Sequence, residues 1–127
     1  MRVISGTLKG RVIPTQKTHE YRPTLSRIRE DVFNLIQHNK ELNINLENST
    51  FGDLFCGTGS IGIEALSRGA QKVVFNDLSS RNVNTLKIFL KQIPNNNYEI
   101  HQTDMYKYAE SLVENCNIIY LDPPYNY

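Results

Sequence analysis

At 127 residues the chain has room for one domain with a modest core and gives no case for two. Its 39% hydrophobic and 21% charged residues are ordinary for a soluble globular protein, and its net charge is +1. Cys56 and Cys116 stand too far apart for zinc-ligand spacing or a disulfide framework, which leaves reduced thiols.

No apolar run is long enough for a signal peptide or for the roughly 18 residues of a membrane span, so a cytoplasmic location is expected. The small net charge conceals an asymmetry. Residues 1–29 hold Arg2, Lys9, Arg11, Lys17, Arg22, Arg27 and Arg29 against Glu20 alone, a balance of +6, and the remainder carries −5. Such a basic arm on a near-neutral body suggests a polyanionic partner met by one face.

In chain order, Arg2-Val3-Ile4-Ser5 and Arg11-Val12-Ile13-Pro14 read as a hairpin whose turn is bracketed by Gly6 and Gly10. Lys9 and Arg11 fall at or near its tip, within reach of phosphates. A loop over 15–23 ends in Arg22-Pro23, and Thr24 or Ser26 is placed to cap a helix running to about His38. Ile28, Val32, Leu35 and Ile36 supply that helix's apolar face, with Arg27 and Arg29 off it. Asparagines at 39, 43, 45 and 48 mark a linker. From Thr50 the pattern alternates: strand 50–55, helix 60–68, strand 72–77, helix 80–92, strand 98–102, helix 105–114, strand 117–121. That alternation predicts βαβ units and a parallel sheet.

Gly57, Gly59 and Gly62 form G-x-G-x-x-G between the first of these strands and its helix. The spacing suits a tight turn, close approach of backbone to a ligand, and helix–strand packing. Asp53 ends the strand, and Asp77 closes the next apolar run, where doubly wound nucleotide sites hold ribose hydroxyls. Near the other end of the chain, Ile118-Ile119-Tyr120-Leu121 is followed directly by Asp122-Pro123-Pro124-Tyr125.

The glycine stretch from Asp53 to Ala70 together with Asp-Pro-Pro-Tyr resembles AdoMet-dependent amino-methyltransferases. Arg22-Pro23-Thr24, Arg27-Ile28-Arg29-Glu30 and Phe33-Asn34 narrow the resemblance to the RsmD family, which methylates the exocyclic amine of a guanine in small-subunit ribosomal RNA. That resemblance implies a Rossmann-like class I methyltransferase sheet (residues 50–127) behind an RNA-facing extension (residues 1–49) made of the hairpin and helix. It implies S-adenosyl-L-methionine as cofactor, no metal, and ribosomal RNA in a small-subunit assembly as partner. Asp53, Gly57 and Gly59 would border its methionine part, Asp77 the ribose and Asp104 the adenine edge, with Phe55 also at the cofactor, although Asp104 could equally cap the helix at 105. Lys9, Arg11, Arg22, Arg27 and Arg29 would meet RNA.

Asp122, Pro123, Pro124 and Tyr125 would form the catalytic loop. Asp122 and the Pro123 carbonyl could accept the two N–H bonds of the target amine, two prolines stiffen the loop, and Tyr125 offers a face for a splayed-out base. Glu64 reads as a solvated helix residue. Where the family often has a second acidic residue after Asp77, this chain has Leu78-Ser79-Ser80.

The family's sheet has seven strands ordered 3-2-1-4-5-7-6, and this sequence reaches only the fourth. A fragment or a shortened gene product is therefore expected, with strand 117–121 a bare apolar edge prone to association. Three other readings remain open: a dinucleotide-dependent oxidoreductase, a non-catalytic RNA-binding remnant, and an adenine amino-methyltransferase acting on DNA.

Overall fold

The computed structural model describes residues 1–15 and 23–124. A four-stranded parallel sheet is built from β1 (Thr50–Asp53), β2 (Lys72–Asn76), β3 (Tyr98–His101) and β4 (Ile118–Tyr120), in the order β3-β2-β1-β4. The helices are α1 (Pro23–His38), α2 (Ser60–Ser67), α3 (Ser80–Lys91) and α4 (Met105–Val113), with a short 3₁₀ turn over Leu46–Asn48 before β1. The alternation and the strand order agree with the sequence expectation, and the edges differ by one or two residues.

Side-chain alternation along the strands divides the core into two layers. Phe51, Val73 and Phe75 face α1, α2 and α3, where they meet Phe33, Ile36, Ile63, Leu66, Leu86 and Leu90. Val74 faces the opposite side and packs with Leu54, Met105 and Leu112 under α4. Both layers are closed at β1 and β2 but thin out at β4. There Ile119 and Leu121 are largely exposed, and no strand among the described residues pairs with the outer edge. Among the same residues no helix is long and apolar enough to cross a membrane.

The amino-terminal runs pair antiparallel: Arg2 bridges Val12, and the Val3, Gly10 and Ile13 N–H groups donate to the Arg11, Val3 and Met1 carbonyls. The turn between them is anchored to the body through Leu8, with Ser5, Gly6, Thr7, Lys9 and Gly10 exposed. Val3, Leu8 and Ile13 are buried in the same cluster as Phe51 and Ile63, so residues on both sides of the 49/50 boundary share one core.

Helix α1 corrects two expectations. It starts at Pro23, ahead of the proposed cap at Thr24 or Ser26, because proline's fixed φ suits a first helical turn and its missing N–H has no partner there to lose. Its buried stripe is Arg29, Phe33 and Ile36, while Ile28 and Leu35 are exposed. The cause is a set of partners outside the helix. Phe33 stacks on Phe51 with ring centroids 5.8 Å apart, and the guanidinium of Arg68 lies 5.0 Å over the Phe33 ring.

Candidate active site

Parallel register brings the sequence-predicted carboxylates to one end of the sheet. Asp53 pairs with Phe75 on one side and with Tyr120 on the other, so Asp77 and Asp122 each lie two residues beyond its partners. These are the carboxyl ends of β1, β2 and β4, the place where open α/β sheets bind ligands. Asp53 is 2% exposed and accepts a 2.9 Å hydrogen bond from the Gly62 N–H. Its pKa is raised to about 7, first by burial and then by the charges of Asp77 and Asp122, with the Gly62 bond opposing. Tyr120 reports the same neighbourhood: its phenol is pushed up by burial, then by Asp122 and Asp53.

Asp77 organises the glycine loop. One oxygen accepts the Gly57 N–H at 2.7 Å and the other accepts the Ser79 N–H at 2.9 Å. Gly57 has φ +55, and a Cβ built there would meet nothing within 4 Å, so the rim of the loop is open. The third glycine of the motif has a different task. A Cβ on Gly62 would lie 2.3 Å from the Phe75 ring, which means that only glycine lets α2 sit this close to β2. A cavity of about 220 Å³ adjoins the loop, lined in part by Thr15, Gly57, Thr58 and Arg81.

Phe55 is half-buried just past β1 and packs toward the α4 layer. Asp104 accepts the Tyr106 N–H at 2.9 Å, so it caps α4. Burial, then the charges of Asp53 and Asp77, pushes the Cys56 thiol up, which makes it a poor nucleophile. Asp122, Pro123 and Pro124 are exposed beyond β4, whereas Tyr125 and Arg22 lie outside the described residues. No group of three or more potential metal-binding side chains gathers among the described residues.

Sequence reasoning missed Asn76. Its amide donates to the carbonyls of Leu54 (3.2 Å) and Thr103 (3.1 Å), and its oxygen accepts the Thr103 N–H (3.0 Å) and hydroxyl (2.6 Å). One side chain thereby ties the end of β1 to the loop that carries Asp104. The signal was available: an amide inside an apolar strand must find partners when buried.

Among the basic candidates, Lys9, Arg11 and Arg27 are exposed, in keeping with an RNA-facing role. Arg29 is not. It is 1% exposed, its Nη2 donates to the Arg2 carbonyl at 2.7 Å, and its Nε lies 3.7 Å from Glu64 Oε1. Glu64 is likewise not solvated. It is 0% exposed and also pairs with Arg68 at 2.8 Å. Each of these buried charges is tolerated because the other compensates it.

Such a sheet, with a glycine loop at its carboxyl end and acidic residues ending successive strands, is an α/β fold of the Rossmann-like kind. The chain belongs to the family described as Conserved hypothetical protein 95, whose model matches residues 1–127, and the resemblance to RsmD is upheld. It is 34% identical to Ribosomal RNA small subunit methyltransferase D of Buchnera aphidicola, over 98% of this chain and 62% of that protein. It is 32% identical to the protein of the same name from Haemophilus influenzae, over 100% of this chain and 65% of that one. The solved structure of HI0767, also from Haemophilus influenzae, superposes with a TM-score of 0.73 at 30% identity, covering 97% of this chain and 64% of that one. The chain thus spans somewhat less than two thirds of the length of these relatives.

Proposed function

We propose that the chain forms the cofactor-binding and base-contacting part of a cytoplasmic, AdoMet-dependent methyltransferase. Its substrate would be the exocyclic amine of a guanine in small-subunit ribosomal RNA, met within a small-subunit assembly. The observation that carries the reading is that Asp53 feels the charges of both Asp77 and Asp122 at one end of the sheet, where Asp77 holds the glycine loop. A cationic ligand is stabilised among three carboxylates, whereas a dinucleotide's pyrophosphate is repelled by them. The Gly57 N–H is already donated to Asp77 and is not open to a pyrophosphate. The oxidoreductase reading loses its main support there.

The residues present fit AdoMet. The open rim at Gly57 and the Asp53 carboxylate suit its methionine part, and Asp77 retains acceptor capacity for ribose hydroxyls. Bound there, the cofactor supplies an electrophilic methyl group on a sulfonium. The protein's remaining work is alignment, since a displacement between two held reactants needs little covalent help. Asp122 and the Pro123 carbonyl accept the amine's N–H bonds, which counters the delocalisation of its lone pair into the guanine ring. The two prolines keep that carbonyl where it points. The names of the relatives, both ribosomal RNA methyltransferases, support RNA over DNA as substrate.

Calorimetry with AdoMet and NAD, followed by transfer of labelled methyl to small-subunit RNA, tests the proposal. AdoMet binding without NAD binding is the expected result. NAD affinity equal to or above AdoMet affinity would sink it. RNA binding with no AdoMet affinity would point instead to the non-catalytic remnant.

A further inference from the structure

Helix α2 begins at the glycine loop and, roughly 12 Å later at 1.5 Å per residue, ends against the amino-terminal turn. At its start, the Gly62 N–H is held by Asp53. At its end, the Glu64 and Ser67 side chains and the Ser67 carbonyl are bonded to residues 4–8. Glu64 Oε1 accepts the Ile4 N–H at 2.9 Å and Oε2 the Ser5 N–H at 3.0 Å. Ser67 Oγ accepts the Leu8 N–H at 2.9 Å and donates to the Ser5 carbonyl at 2.6 Å. The Ser67 carbonyl accepts the Thr7 N–H at 2.8 Å. Gly6 has φ +92, and a Cβ there would lie 2.0 Å from that carbonyl oxygen, so the turn rests on the helix end with no room between them.

None of these bonds belongs to the helix's own backbone ladder. What they do is hold one particular short segment, with Arg29 holding it from the other side at Arg2. Immediately beyond the clamp stand Lys9 and Arg11, both exposed. The same short, rigid helix therefore locates both the cofactor loop and the cations.

We propose that Glu64 and Ser67 are positioning residues for a polyanionic substrate: they fix the turn bearing Lys9 and Arg11 relative to the glycine loop, so that RNA phosphates and the reacting base are held in one frame. This rests on the reading of the chain as an RNA methyltransferase, and it adds residues which touch neither RNA nor cofactor.

Glu64→Gln and Ser67→Ala test it beside the double variant Lys9→Ala/Arg11→Ala, with folding of each confirmed by circular dichroism. A fluorescein-labelled fragment of small-subunit ribosomal RNA is titrated at several KCl concentrations, and AdoMet is titrated calorimetrically. Both positioning variants should bind RNA less tightly and should flatten the plot of log affinity against log salt toward the double variant. The flattening expected is about 0.7 for each single-strand phosphate that is no longer neutralised. AdoMet affinity should stay within about twofold of the parent, a change under roughly 0.4 kcal/mol at 1.4 kcal/mol per tenfold. A purely structural role would lower the melting temperature and leave the salt slope alone. Should Glu64→Gln fail to fold, the milder Ser67→Ala decides: a folded Ser67→Ala protein with the parent's affinity and slope overturns the proposal. A parent with no AdoMet affinity would refute the methyltransferase reading, while the slopes would still judge the positioning role. A parent with no RNA affinity overturns both.

Discussion

Two carboxylates are buried within one short stretch of this chain, Asp53 at the end of β1 and Glu64 on α2, and they are treated in opposite ways. Glu64 is met by two backbone N–H groups, by Arg68 and by Arg29, so its charge is compensated from every side. Asp53 has one backbone N–H from Gly62 and, as its charged neighbours, two further carboxylates. Burial by itself does not mark a functional group; burial without compensation does. The mouth of the sheet holds an electrostatic deficit that a cationic ligand would relieve, whereas the far end of α2 is satisfied and serves to hold other residues in place.

The contrast can be broken most severely at the satisfied end. Glu64→Leu should cost about 3–5 kcal/mol of stability, as removal of one partner from a buried ion pair does, because it strands Arg29 and Arg68. Chemical denaturation of parent and variant would measure this. A loss below 1 kcal/mol, on the order of an exposed pair, would mean the cluster is far better hydrated than its burial indicates.

At the unsatisfied end the sign reverses. The folded pKa of Asp53, about 7, lies above its ordinary value of 3.8. The folded protein therefore keeps a proton that the unfolded chain releases. Stability should be greatest at low pH on this account, fall as pH rises from about 4 to 7, and level off above. Asp53→Asn removes that penalty and should stabilise the protein at pH 8 by roughly 1–4 kcal/mol, at about 1.4 kcal/mol per pKa unit. It should at the same time weaken AdoMet binding. Thermal melts across pH, with calorimetry at pH 8, would check the pair of effects. A variant less stable than the parent at pH 8 would show that the mouth of the sheet carries no such deficit.

Asp122→Ala should lower kcat by about 100-fold, comparable to losing one preorganised hydrogen bond to the reacting group, with AdoMet affinity near normal. Turnover of labelled AdoMet on small-subunit RNA is the readout, and normal methylation would exclude Asp122 from the chemistry. Asp77→Ala should weaken AdoMet by about 1.5–3 kcal/mol, the range for a hydrogen bond to a charged group, as read by calorimetry. An unchanged affinity would take Asp77 out of the cofactor site. The smallest effect is at the surface. Neutralising Lys9 and Arg11 together should flatten the salt dependence of RNA affinity by roughly 1.4 units, and an unchanged slope would mean that both simply face water.

Local pattern was enough to read the order of strands and helices, the glycine loop and the parallel sheet, because periodicity and turn chemistry act over a few residues. The carboxylates at strand ends were legible for a related reason: a parallel register carries every strand's last residues to the same edge. The same local reasoning put Arg29 off the buried face of its helix and Glu64 in solvent, and it passed over Asn76. A charged or amide side chain in a helix or strand reads as exposed until its partners are known. Here those partners are distant in sequence: Ile4 and Ser5 meet Glu64 from 60 and 59 residues away, and Thr103 meets Asn76 from 27. Order along the chain thus dictates which elements form and which end of the sheet carries chemistry. Which charges are buried, and whether each is compensated there, is settled by long-range packing, since desolvation and Coulomb energy depend on neighbours that the fold alone brings together.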